Sequence, residues 1–141
     1  MGRSSMIGSD PKLDQFITDN RWAVITTLRA GGMPSSTWVA YARDGDTLVI
    51  STPGYTVKRK TLDKDPRVAV CCTSDKAPFN FVTVEGRATV ETENLIANTK
   101  LVFQNIKGSG YDEPADLQGW LDKQQRVILR IHPERVYGVI R

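Results

Sequence analysis

The chain has 141 residues, 40% of them hydrophobic, which gives room for one compact domain with its own core and too little length for two. Its net charge of +3, from 19 basic and 16 acidic residues, is too mild to hold a nucleic acid unaided at physiological salt, so any basic patch must be local. No apolar run reaches the length of a membrane-crossing helix and the opening residues lack a signal-peptide pattern, so a cytoplasmic protein with no membrane partner is expected.

Residues 1–8 are small and polar and read as a flexible N-terminus, leaving 9–141 as the single folded domain. Ser9-Asp10-Pro11 supplies a cap and a proline at the first helical position, and Leu13, Phe16 and Ile17 follow at helical spacing. A short amphipathic helix therefore opens the domain.

From Trp22 onward, β-branched and aromatic residues come in runs broken by Gly31-Gly32, Asp44-Gly45, Pro53-Gly54 and the segment 75–78. Six strands are predicted, over 22–29, 35–43, 47–51, 67–73, 80–91 and 126–140, the last broken in two by His132-Pro133. Helices are predicted over 56–64, 95–106 and 115–123. With short hairpin connections this order favours an antiparallel barrel with short flanking helices, a mainly β (α+β) fold, over a parallel sheet. The two cysteines, Cys71 and Cys72, are neighbours on a strand, where side chains alternate faces; they fit neither a disulfide with each other nor a zinc pattern, and read as strand residues of a reducing compartment.

The chemistry concentrates in 51–67, STPGYTVKRKTLDKDPR, where a strand ends in a Pro-Gly turn and enters a short basic helix. Free N–H groups and the positive dipole end of that helix, with the Thr56 hydroxyl and the Lys58 and Lys60 cations, make an anion site suited to a phosphate. Read alone, such a charge run is more often the solvated face of a surface helix.

The surrounding residues favour the anion site. Thr52, Thr56, Lys58, Leu62 and Asp65-Pro66 stand at the spacing of the cofactor segment in the split β-barrel flavoproteins related to pyridoxamine 5'-phosphate oxidase, and the chain resembles that superfamily. The resemblance extends from 23–28 (AVITTL) through 67–70 and 84–88 to 135–138, with its nearest likeness in the branch that uses the deazaflavin coenzyme F420. It implies a six-stranded antiparallel split barrel working as a homodimer, with the cofactor at the subunit interface. Ser51, Thr52, Thr56, Lys58 and Lys60 would surround its phosphate. The ring would lie over the second strand at Pro34, Ser35, Thr37 and Trp38, with Phe79 of the other subunit as an aromatic wall.

The implied activity is hydride transfer from reduced F420 to an electron-poor small molecule such as a conjugated carbonyl, quinone or tetrapyrrole, with flavin mononucleotide (FMN) as the alternative cofactor. Lys60, Arg59 and Lys64 favour F420, whose lactyl-oligoglutamate tail carries negative charge beyond the phosphate. Positioning would then be the protein's main task, in keeping with the lack of any Ser/His/Asp or Cys/His set. His132 reads as a structural or surface histidine, and Asp44, Asp46, Asp63 and Asp65 sit in turn or helix contexts that explain them without acid-base work. No catalytic residue or metal ligand is assigned. Chain-terminal basic residues of the kind that grip pyridoxamine phosphate are missing from the closing RVYGVIR, which argues against vitamin B6 oxidation. Two other readings compete: a non-catalytic flavin, deazaflavin or haem carrier, and a single-strand nucleic-acid binder using Trp22, Trp38, Tyr41 and Tyr55 as stacking platforms.

Overall fold

The computed structural model of the chain describes residues 6–141. Helix α1, Pro11–Asp19, begins where expected: the Asp10 carboxylate accepts from the Lys12 N–H and Pro11 needs no partner at the first position. Strands β1 (Trp22–Leu28), β2 (Pro34–Ala40), β3 (Ala42–Asp44) and β4 (Thr47–Pro53) follow, then α2 (Val57–Leu62), β5 (Arg67–Thr73), β6 (Phe81–Glu91), α3 (Leu95–Asn105), α4 (Leu117–Lys123) and β7 (Arg126–Val139).

All seven strands join one antiparallel sheet in the order β2-β1-β5-β6-β7-β4-β3. The two edge strands, β2 and β3, are consecutive in the chain with only Tyr41 between them. A sheet whose opposite edges are tied by one residue must curl on itself, and the result is a barrel left open along that seam. Six strands were expected and seven are present, because the run 35–43 is two strands on opposite edges. At the switch the Tyr41 N–H donates to the Arg21 carbonyl, its hydroxyl donates to Ile17 O at 2.7 Å, and Asn105 Nδ2 donates to Tyr41 O at 2.7 Å.

Inside the curl, alternate residues of five strands (Ala23 and Ile25, Leu48 and Ile50, Val70 and Cys72, Val82 and Val84, Val127, Leu129 and Ile131) form one buried core. On the outer face, α3 covers β3, β4 and β7, packing Val102 onto Ala42, Val49 and Ile128. Arg130 staples this layer: it donates to Glu91 (2.9 Å), Asp44 (2.9 Å), Thr47 (2.8 Å) and Asn98 (3.3 Å), tying β7 to β6, the β3–β4 turn and α3.

Strand β7 runs unbroken through His132-Pro133, where a break was expected. The register with β6 slips by one residue between Glu85 and Gly86, leaving Glu134 as the extra residue of a bulge. The bulge absorbs the missing proline N–H, and Gly86 permits it, since a Cβ there would strike the His132 carbonyl oxygen. Residues 1–5 of the expected flexible N-terminus lie outside the described residues. Within them Ile7 departs from that expectation: it is 1% exposed in the core, with its N–H donating to Asp14 Oδ1 at 2.8 Å. No helix among the described residues is long and apolar enough to cross a membrane.

Candidate functional site

Strand β4 ends at Pro53 and α2 begins four residues later, and this corner holds most of the expected phosphate ligands. Thr52 faces inward, 1% exposed, with its hydroxyl 3.3 Å from that of Thr56. The Thr56 hydroxyl donates to Pro53 O at 3.0 Å, so it braces the turn and does not cap the helix. At six residues α2 is too short for its dipole to carry an anion site, and the case passes to the side chains.

Lys58 is half-buried at the start of α2. Burial, and then the nearby Arg126 guanidinium, hold its ammonium below the ordinary lysine value. Arg126 is half-buried as well, and burial lowers it to about 10. Its Nε and Nη2 donate to Ser51 Oγ and Ser51 O, both at 3.1 Å, and Nη1 donates to Gln124 Oε1 at 2.7 Å. Its flat face lies 4.2 Å from the centre of the Trp120 ring. Every one of these partners is neutral. Among the described residues no carboxylate forms an ion pair with Lys58 or Arg126. Two desolvated cations that repel each other and lack a counter-charge have the character of an anion site.

Arg126 was missed from the sequence because it stands 68 residues from Lys58 at the mouth of a different strand. Its pairing opposite Pro53 is a fact of the β4–β7 ladder. No local motif marks it.

Lys60 occupies different ground. Two positions along a helix turn a side chain by roughly 200°, so Lys58 and Lys60 leave α2 on opposite sides. Lys60 lines a cleft of about 490 Å³ between α2 and the tip of the β1–β2 hairpin, with Arg29, Gly31, Gly32, Lys64 and Arg67. Asp65, the one carboxylate there, is committed to Arg67 at 2.8 Å and held at about 2, chiefly by hydrogen bonds from Arg67. The remaining cleft cations are Lys60, Lys64 and Arg29, whose Nη2 reaches only the Pro34 carbonyl at 3.4 Å.

The four expected ring-binding positions on β2 divide between its faces. Ser35 and Thr37 pair with the inward Thr27 and Ile25, whereas Trp38 pairs with the outward Val24. Pro34 shares the outward face of Trp38 by alternation. Trp38 is 68% exposed and lies 5.1 Å from the Trp22 ring. Phe79, 64% exposed in a left-handed backbone conformation (φ 61°), lies in the loop beyond the Trp22 end of the sheet, next to the Thr73–Phe81 pair. Strand β1 spans seven residues, so the Trp22 and Leu28 ends are roughly 20 Å apart. Helix α2 is fastened near the Leu28 end, where the Thr61 hydroxyl donates to Thr27 Oγ1 at 3.0 Å. Within one chain, Phe79 and the α2 residues are therefore at opposite ends of the sheet.

Tyr41, one of the four candidate stacking platforms for single-stranded nucleic acid, is 0% exposed and offers no ring face. His132 is on the surface, 3.1 Å from the Thr89 hydroxyl.

The curled antiparallel sheet, open at a seam and flanked by short helices, is a split β-barrel. The chain belongs to the pyridoxamine 5'-phosphate oxidase family, whose model matches residues 9–140. Among solved structures it is similar to a conserved hypothetical protein from Mycobacterium tuberculosis (22% identity, 98% of this chain and 88% of that chain covered, TM-score 0.75). It is also similar to an F420 reductase (19% identity, 92% and 98% covered, TM-score 0.74) and to an FAD-binding protein from Mesorhizobium loti (20% identity, 93% and 94% covered, TM-score 0.70). At these identities the likeness establishes the fold. No curated protein matches the chain.

Proposed function

We propose that the protein is a cytoplasmic homodimeric oxidoreductase that holds coenzyme F420 at its subunit interface and directs hydride transfer to an electron-poor small molecule. The observation that carries this reading is the pair of half-buried, uncompensated cations Lys58 and Arg126 beside the β4–α2 corner. A phosphate held by the two cations would relieve their repulsion. The cofactor, when bound, supplies the hydride donor; the chain supplies the anchor, the orientation and a surface that sheds water.

The basic cleft at Lys60 favours F420 over FMN. FMN ends at its phosphate, whereas F420 continues into a tail of carboxylates. A cleft with Lys60, Lys64 and Arg29 on the far side of α2 suits such a tail. The distance between α2 and Phe79 within one chain supports the dimer, because an aromatic wall at Phe79 and Trp38 would meet a cofactor anchored at α2 when a second chain supplies it.

Titration with F420 and with FMN, followed by tryptophan fluorescence, tests the reading. Lys58→Ala is expected to weaken both cofactors by about tenfold or more, and Lys60→Ala to weaken F420 alone. Binding of FMN only, with Lys60→Ala silent, would make the protein a flavin oxidoreductase. Tight F420 binding with no acceptor-dependent oxidation of the reduced cofactor would make it a carrier.

A further inference from the structure

We infer that Trp120 is a positioning residue for the anion site: by stacking on Arg126 it fixes the guanidinium as the rigid arm of the site, set against the mobile ammonium of Lys58. The inference rests on the proposed cofactor reading and names the part of the chain that sets the geometry of its phosphate anchor.

The geometry points this way from several sides. A guanidinium carries five N–H bonds in one plane. In Arg126 three are committed, two to Ser51 and one to Gln124, all on neutral acceptors, so two remain for an anion. Trp120 lies against the flat face at 4.2 Å and stops the plane from turning. Trp120 is in turn held by α4. Its neighbours Leu117 and Leu121 are buried, and the Asp116 carboxylate accepts from the Gly119 N–H to fix the first turn. Phe103 of α3 meets the Trp120 ring edge-on with centroids 5.6 Å apart. Helices α3 and α4, remote in sequence from the α2 corner, thus converge on the orientation of one side chain.

A free arginine would lose several rotors on gripping a phosphate, whereas one clamped on three edges and a face has already lost them. A lysine at 126 would keep the charge but not the plane, and would neither fill the Ser51 fork nor stack as well. The two N–H groups left over suit the oxygens of an anion such as a phosphate.

The test uses the purified full chain with FMN, F420 and inorganic pyrophosphate as probes, calorimetric affinities at several salt concentrations, and a melting temperature for each variant. Trp120→Leu is expected to weaken all three probes about tenfold, Trp120→Phe to restore most of the loss, and Arg126→Lys to behave like Trp120→Leu. The double variant Trp120→Leu/Arg126→Met should bind no worse than Arg126→Met alone, since the tryptophan acts through the arginine. A melting temperature lowered by Trp120→Leu with affinity unchanged would overturn the inference while leaving the cofactor reading in place. Additive losses in the double variant would also overturn it. If the unaltered protein binds none of the probes, the cofactor reading falls and the inference with it.

Discussion

Arg130 shows how much one side chain carries outside the site. It is 16% exposed and satisfies two carboxylates, a hydroxyl and an amide drawn from four elements. Replacing it with methionine strips the partly buried Glu91 carboxylate and the buried Asn98 amide oxygen of this partner, and is expected to cost roughly 2 kcal/mol in urea denaturation while leaving cofactor affinity unchanged. Asp14 gives a pH test. Partial burial pushes its carboxyl up, but the Ile7 N–H and the Arg43 guanidinium outweigh that, and the net effect is downward from 3.8. A carboxyl lowered by folding adds stability that is complete above its unfolded value and is lost as pH falls through the folded one. Asp14→Asn is therefore expected to flatten the acid limb of the stability profile below about pH 4, read by urea denaturation across pH. At this scale the sequence was informative about Lys58 and silent about Arg126. The first sits in a recognisable string, whereas the second acquires its place only when β7 pairs with β4.

Among the elements, the β6–β7 bulge and the Tyr41 switch decide the shape of the barrel. Gly86→Ala would drive a Cβ into the His132 carbonyl, and the variant is expected to lose at least about 2 kcal/mol or to fail to fold, checked by expression and thermal melting. Tyr41→Phe deletes only the hydroxyl that donates to Ile17 O, and a milder loss of about 1 kcal/mol is expected. Most elements could be read from hydrophobic alternation and turn residues: β1, β5 and β6 fall within a residue of their predicted limits. The run 35–43 was not readable as two strands, because Val39, Tyr41 and their neighbours keep an alternating, β-forming pattern across the switch. What ends β2 is the Arg21 carbonyl and the Asn105 amide taking the backbone of Tyr41, both supplied from elsewhere in the fold. The proline in β7 misled in the opposite direction, since a bulge accommodates it.

For the whole molecule, register across the sheet lines up Trp38, Val24, Cys71, Thr83 and Tyr137 in one outward row across five strands. Trp38 and Tyr137 are 68% and 40% exposed there. The exposed aromatic ends of that row, on either side of the buried Thr83, suit the second chain that the cofactor reading requires. Trp38→Glu is expected to shift the protein to a monomer in light scattering and to abolish cofactor binding together with dimerisation; a Trp38→Glu monomer that still binds F420 at full strength would place the whole site within one chain. In the proposed function an uncompensated cation pair, Lys58 with Arg126, anchors the phosphate of a deazaflavin or flavin cofactor. Its most direct test is calorimetric titration of the unaltered protein and of Lys58→Ala with F420 across a range of salt. One site per chain, an affinity that falls as salt rises, and a loss of about tenfold or more in the variant are expected. Equal affinity in the two proteins, or no binding to either, would contradict it.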